Sequence, residues 1–417
     1  MARVDPALAA ARGAVRAELA RLAADGGLVP GGLVLVACSG GADSLALAAV
    51  TAVEGRRVGR SVRSRGHAVR VGAVVVDHGL QPGSDDVAVR AAEQCRALGL
   101  DPVVVRRVHV AAGPGAGGTE AAARDARYGA LAETAAELDA VAVLLGHTLD
   151  DQAESVLLGL ARGSGARSLA GMPRRRGRYR RPFLDLRRTQ TEAVCAALGI
   201  DFWTDPTNLL PDVRPCPSPS GAGKATDRDD GAPARTRVRH AVVPVLEDVL
   251  GPGVVAALGR TADQLRDDAD LLDRLAADLL AQATVPAEPA EPCVPAGPTG
   301  PGGTASPAGR SGGRAPDAGG LVLDAVVLAG APAALRRRAL RSAAAAVGCA
   351  PGATGARHVD ALDALVVSWR GQGAAHLPGG ARAVRACGRL FLRPSPDRTH
   401  TPPPDAAPQP PTRPTEE

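Results

Sequence analysis

The chain has 417 residues, of which 45% are hydrophobic, enough for two or three domains with cores of their own and no need of a stapled mini-scaffold. Its seven cysteines are scattered without a CxxC pair, which argues against a zinc ribbon, a metal cluster or a disulfide framework and points to a reducing cytoplasm. A net charge of +5 is modest support for a polyanionic partner, while charged residues from Arg3 to Arg21 and the lack of any run of ~18 apolar residues argue against an export signal or a membrane span.

Residues 1–24 read as an N-terminal helix. From 25 to 210, apolar β-type runs at 33–38, 71–76, 103–110 and 141–145 alternate with helical spacing at 44–53, 84–98 and 119–138. This rhythm predicts an α/β domain, a doubly wound parallel sheet whose ligands sit beyond the carboxyl ends of its strands. Residues 211–236, rich in Pro, Ser, Gly and Asp, read as a disordered insertion, and 237–284 as a helical segment. Residues 285–320 read as a disordered linker, because 17 Gly plus Pro among positions 286–320 leave too little apolar surface to offset ordering entropy. A small mixed domain at 321–393, with a basic helix near 335–346, and a Pro-rich disordered tail at 394–417 complete the chain.

Ser39-Gly40-Gly41-Ala42-Asp43-Ser44 lies between the first strand and its crossover helix. Glycines let the backbone approach phosphate oxygens, the hydroxyls of Ser39 and Ser44 can donate to them, and the helix N-terminus adds partial positive charge, so all six residues are candidates for a pyrophosphate cradle. The loop lacks the lysine of a Walker A motif, and the Gly221-Ala222-Gly223-Lys224 fragment, which carries the chain's single lysine, has no strand before it. Asp43 can either cap the helix or help hold magnesium beside phosphates. SGGxDS in this setting resembles the PP-loop of the ATP pyrophosphatase superfamily. That resemblance implies ATP cleavage between the α and β phosphates, adenylation of a substrate oxygen, and displacement of AMP by a nucleophile.

Past the later strands come Asp77-His78-Gly79, then Arg124 and Arg127 three apart on one helix face, then Gly146-His147-Thr148-Leu149-Asp150-Asp151-Gln152-Ala153-Glu154. Asp150, Asp151 and Glu154 can share one side of a first helical turn. Carboxylates there suit magnesium, or a proton taken from an incoming ammonium, or merely the helix dipole. Residues 162–188 hold ten arginines, Arg174, Arg175 and Arg176 among them, against the one acid Asp185: a phosphate-contacting surface or a solvated basic loop. Arg336, Arg337, Arg338 and Arg341 form a second basic patch. With two Trp, two Tyr and three Phe, base stacking cannot be widespread; shape, phosphate contacts and one flipped base suit an RNA partner better.

Together with Arg181-Pro182-Phe183-Leu184, Asp205-Pro206-Thr207-Asn208, Arg235-Thr236-Arg237-Val238-Arg239-His240 and Leu377-Pro378-Gly379-Gly380, this order of motifs resembles the tRNA(Ile)-lysidine synthetase family over most of 31–275 and more faintly over 335–392. The resemblance implies a PP-loop ATPase-type domain, a helical segment and a small C-terminal substrate-binding domain. It implies a cytoplasmic ligase using ATP and Mg2+ to join free L-lysine to carbon 2 of the wobble cytidine of isoleucine tRNA with a CAU anticodon, with no membrane partner and with homodimerisation left open. Carried onto this sequence, it makes His147, Asp151, Glu154 and Arg237 catalytic and Asp43 and Asp151 metal-holding. Arg124, Arg127, Arg174, Arg175, Arg176, Arg336 and Arg337 become tRNA-binding. Thr148 stands where many relatives repeat histidine, 56–66 and 211–234 look like insertions, and a second C-terminal domain of longer relatives has no counterpart. A rival tRNA thiolase would need clustered cysteines, and a non-catalytic tRNA-binding protein would have no use for a phosphate cradle. Lys224, in a segment with nothing to lower its pKa from ~10.4, is a poor nucleophile, so the amine is expected from solution.

Overall fold

The computed structural model describes residues 5–28, 31–58, 69–79, 83–108, 119–163, 165–205, 233–286, 320–350 and 352–395. They belong to two compact units, Met1–Asp267 and Asp268–Glu417.

In the first unit α1 (Pro6–Ala24) precedes a six-stranded sheet made of β1 (Leu33–Cys38), β2 (Arg70–Asp77), β3 (Val103–Arg107), β4 (Ala140–Leu145), β5 (Arg175–Arg176) and β6 (Tyr179–Arg180). Its order is β3-β2-β1-β4-β6-β5, parallel except for the β5–β6 hairpin. Helices α2 (Ala42–Arg57), α3 (Ser84–Ala97), α4 (Thr119–Glu137), α5 (Leu149–Ala161), α6 (Ala166–Leu169) and α7 (Arg188–Leu198) connect and cover it. Because both faces of the central strands are covered, β1 and β2 are almost continuously apolar and buried rather than alternating. The strand order reverses at β1, with β2 on one side and β4 on the other. The crevice beyond the carboxyl ends of β1 and β4 is therefore where the topology offers a ligand site.

Helix α1 is tied to α2 by Glu54, a buried carboxylate that accepts from Arg12 Nε at 2.7 Å and Arg16 Nε at 2.9 Å. Burial alone would raise the Glu54 pKa, but the two arginines outweigh it and hold it below its ordinary value. A lowered folded-state pKa means stability that is present at neutral pH, shrinks as pH falls below the ordinary value, and is gone below the lowered one. Glu54→Gln is expected to cost about 2 kcal/mol at pH 7, since both arginines keep some solvent. Urea denaturation at pH 7 and in acid checks it: the gap between variant and wild type should narrow in acid, and a constant gap would contradict the ion-pair origin.

After α8 (Ala234–Arg237), a π turn (Val238–Val242) and α9 (Val243–Leu250) comes α10 (Val254–Ala283), within which the division between the units falls. The second unit is an antiparallel sheet of β7 (Leu321–Asp324), β8 (Ala375–His376), β9 (Arg382–Ala386) and β10 (Arg389–Arg393), in the order β7-β10-β9-β8. With it come α11 (Ala325–Gly330), α12 (Ala333–Ala346) and α13 (Ala356–Val367). Leu323, Leu390 and Leu392 from one sheet face join Leu279, Leu340, Leu362 and Leu365 in its core.

Several expectations are corrected. The arginine-rich stretch 162–188, read as a phosphate-contacting surface or a solvated loop, carries α6 and the short β5–β6 hairpin between turns and ends where α7 begins. β3 stops at Arg107, and α8 begins at Ala234, inside the span expected to be disordered. Residues 206–232, with Lys224, and the bulk of the expected linker (287–319) and tail (396–417) lie outside the described residues.

Candidate active site at the strand ends

Gly40 turns the chain out of β1 with φ +81, a conformation that favours glycine, and a Cβ there would also meet Ala91 on α3 tightly at 3.3 Å. The Ser44 hydroxyl donates to the Gly41 carbonyl at 2.9 Å and accepts from the Ser39 N–H at 3.1 Å. Trp203 N–H closes on the Gly40 carbonyl at 2.9 Å. The loop is thus held in shape by its own bonds. Ser44 is buried and used inside it, contrary to the expectation that both serines donate outward. The exposed Ser39 and the N–H groups opening α2, which a helix start leaves without intrahelical partners, are the donors this loop could offer an anion.

From the first turn of α2, Asp43 reaches α7, where the Thr191 hydroxyl donates to its Oδ1 and Arg188 Nε lies 3.5 Å from its Oδ2. Burial pushes its pKa up to about 6; Arg188 and Thr191 pull it down and the charge of Asp151 pushes it up again. Asp151 closes the capping box of α5, its Oδ2 accepting from the N–H and hydroxyl of buried Thr148 at 2.8 and 3.1 Å. Its Oδ1 faces Arg188 at 3.0 Å and Arg239 at 3.5 Å. Burial opposes its ionisation, but Arg188, the Thr148 N–H and Arg239 hold its pKa below the ordinary value. Next along α5, fully buried Glu154 accepts from Arg239 Nε at 2.7 Å, with Arg188 and Arg235 each at 3.7 Å. Asp150 is turned away to Arg187 Nε at 3.0 Å and the backbone N–H of Arg188 at 2.7 Å. One guanidinium, that of Arg188, therefore sits among Asp43, Asp151 and Glu154.

The other side of the crevice is cationic. Burial brings His147 down to about 3; Asp151 opposes this, while Arg181, Arg127 and Arg124 push it lower, so the imidazole is neutral. Its Nδ1 and that of His78 are buried without a hydrogen-bond partner among the described residues. Arg124 and Arg127 lie 5.3 and 5.7 Å from the centre of the Tyr128 ring, whose hydroxyl accepts from Arg181 at 3.0 Å. Burial, and then the repulsion of Arg124, Arg235 and Arg181, lower the Arg127 pKa, with Tyr128 opposing. No carboxylate of the described residues pairs with Arg124, Arg127 or Arg181. Crowded cations without an acid are costly, and an arriving anion relieves them.

Among the described residues, no three acidic, His or Cys side chains converge closely enough to enclose a metal alone. Asp43 and Asp151 nonetheless place two carboxylates beside the cradle. That donor set fits magnesium, which takes one or two carboxylates and leaves its remaining positions to phosphate oxygens and water.

His147, Asp151, Glu154 and the cradle come together as the sequence suggested; Arg237 does not. It is exposed, whereas Arg235 and Arg239, four apart, turn to Glu154. The site also takes in Arg188, Arg181 and Arg239, which the sequence marks only as members of the arginine stretch or of motifs, and Thr191, which it does not mark; the Arg188-Thr189-Gln190-Thr191 run after the hairpin is the available signal for Arg188 and Thr191. Of the basic triplet, Arg174 is clamped by Asp185 (2.7 Å) and Asp263 (2.8 Å), Arg175 faces Asp25 (3.3 Å) and Glu18 (3.5 Å), and Arg176 alone is exposed and unpaired among the described residues. Arg336 is buried on Asp363 at 2.6 Å, and Arg337 reaches the same carboxylate at 3.1 Å. Both therefore pair with a carboxylate of their own unit, Arg336 from a buried position and Arg337 from a half-exposed one.

Residues 14–214 match the family model of the PP-loop domain, and residues 323–391 that of the TilS substrate binding domain. The chain is 46% identical over 392 residues to a tRNA(Ile)-lysidine synthase of Thermobifida fusca (strain YX), covering 94% of this chain and 99% of that one. It is 45% identical over 394 residues to a tRNA(Ile)-lysidine synthase of Salinispora tropica, covering 94% and 97%. Among solved structures, the U34-tRNA thiolase NcsA from Methanococcus maripaludis is 18% identical with a TM-score of 0.42, covering 61% of this chain and 78% of that one.

Proposed function

We propose, on the premise that this chain belongs to the tRNA(Ile)-lysidine synthase family, that its strand-end crevice activates the wobble cytidine of an isoleucine tRNA with ATP and passes it to free lysine. The chain is an ATP-using ligase that modifies tRNA. In the reaction, cytidine O2 attacks the α phosphate and pyrophosphate leaves. The lysine side-chain amine then forms a bond to carbon 2, the bond from carbon 2 to O2 breaks, and AMP departs with that oxygen while the amine releases a proton.

The cradle of Ser39 to Ser44 holds the phosphates at the positive end of α2. Asp43 and Asp151 would hold magnesium, which supplies charge neutralisation on the phosphates. Arg188 keeps these two carboxylates apart and oriented, and Glu154, enclosed by arginines, positions Arg239 and is not the base. Arg124, Arg127 and Arg181 receive the RNA, while neutral His147 offers a hydrogen bond to the base without adding charge. No single helix among the described residues is long and apolar enough to cross a membrane, and we place the enzyme in the cytoplasm with its tRNA.

One observation carries this reading: a phosphate cradle, paired carboxylates and an acid-free arginine cluster meet at the ends of β1 and β4. Incubating the protein with ATP, labelled lysine and transcripts that differ at the wobble base tests it. Label should enter only the isoleucine transcript bearing cytidine; incorporation into none, or into all, would sink the assignment.

A further inference from the structure

The sheet of the second unit has two unlike faces. Leu323, Leu390, Leu392 and Ala383 point into the core. On the opposite face the register sets Val322 beside Phe391 and Phe391 beside Val384, a cross-strand apolar row. Next to it Arg393 pairs with Arg382 and Arg382 with His376, and on the other side lies Arg389. Arg382, Arg389, Arg393 and His376 are exposed, and Val384 is 38% exposed. No carboxylate of the described residues pairs with those three arginines. The one acid on this face, Asp324, instead accepts from the N–H groups of Val326 and Val327 at 2.7 and 3.2 Å to cap α11. On α12, by contrast, Arg336 and Arg337 meet Asp363, and Arg338 meets Asp273 at 2.5 Å. Within one unit, three of the four α12 arginines meet carboxylates, Arg341 being the exception, whereas Arg382, Arg389 and Arg393 on the sheet meet none among the described residues.

We propose that this outer sheet face is a platform for the tRNA, on which the Phe391 ring stacks against an unpaired base while Arg382, Arg389 and Arg393 hold the flanking phosphates. The proposal rests on the reading of the chain as a tRNA-modifying enzyme. A flat apolar row with an aromatic ring, bordered by cations that lack acids, is the surface that single-stranded nucleic acid takes: bases present π faces and the backbone presents regularly spaced negative charge. Of the chain's three phenylalanines, Phe183 is fully buried and Phe202 lies outside this unit, while the unit's exposed Trp369 is already faced by Arg385, whose register partner Leu390 points to the core side of the sheet; Phe391 is thus the one Phe, Tyr or Trp of this face.

Binding of isoleucine tRNA transcript to the full-length protein, measured by fluorescence anisotropy across a salt series, tests this. Phe391→Leu keeps apolar packing and should weaken binding about 10-fold, whereas Phe391→Tyr should stay within about 2-fold of wild type because the ring remains. Changing Arg382, Arg389 and Arg393 together to Gln should lower the slope of log affinity against log salt by roughly 2. Melting temperature and ATP affinity should be unchanged in all three. Wild-type affinity and slope in both the Leu and the Gln variants would overturn the platform, and equal weakening by Leu and Tyr would overturn the stacking. Failure of the wild-type protein to bind the transcript would overturn instead the tRNA reading beneath it.

Discussion

Asp43→Asn is expected to lower the ATP-dependent rate by about 10²- to 10³-fold, the scale on which a preorganised electrostatic group acts, while tRNA affinity stays within about 2-fold because the arginines that face RNA are untouched. The variant should also be no less stable than wild type at pH 8. Burial places the Asp43 pKa at about 6, above its ordinary 3.8, even with Arg188 and Thr191 in place. A raised folded-state pKa means stability that is full below the ordinary value and lost as pH rises through about 6. Asparagine removes the charge whose burial is responsible. Single-turnover AMP formation, tRNA binding and thermal melts at pH 8 separate the effects. A variant that loses stability and tRNA affinity in step with activity would show Asp43 to be a structural cap.

Glu154→Gln should lose activity for a different reason. Its carboxylate compensates Arg239 at 2.7 Å and Arg188 and Arg235 at 3.7 Å from a fully buried position. Removing the charge leaves three partly buried guanidiniums in repulsion, at a cost of about 3 kcal/mol in stability, and lets Arg188 swing off Asp43 and Asp151. Were Glu154 instead the base for the amine, the variant would melt normally and fail only in lysine transfer. The double change Glu154→Met with Arg239→Met decides between them. An apolar pair can replace a buried ion pair with little loss, so melting should recover toward wild type while activity does not. Recovery of neither would mean the cost lies in packing.

The sequence disclosed what is local. The apolar runs of β1, β2 and β4 mark buried parallel strands, and the glycines of the cradle stand where the backbone must turn and approach a ligand. Pairing across long separations was out of reach. Arg188 meets Asp43 across 145 residues, and nothing near either residue announces the other. The alternation of Arg235, Arg237 and Arg239 could not reveal which arginines face inward, because their phase is set by Glu154 on another helix. The basic run on α12 looked free only because Asp363, 27 residues after Arg336, is invisible from within the run.

The cradle of Ser39 to Ser44 bears on how the reaction can end. The loop is already closed by Ser44 and Trp203 before any ligand arrives, so its donors are preorganised. On the proposed function, the same donors that receive ATP would also face the departing pyrophosphate, with no ordering of the loop needed to distinguish the two. Direction is therefore not stored in this part of the protein. On the proposed function, forward turnover would then depend on removal of pyrophosphate and on capture of the adenylated base by the amine, and so on the surroundings as much as on the fold.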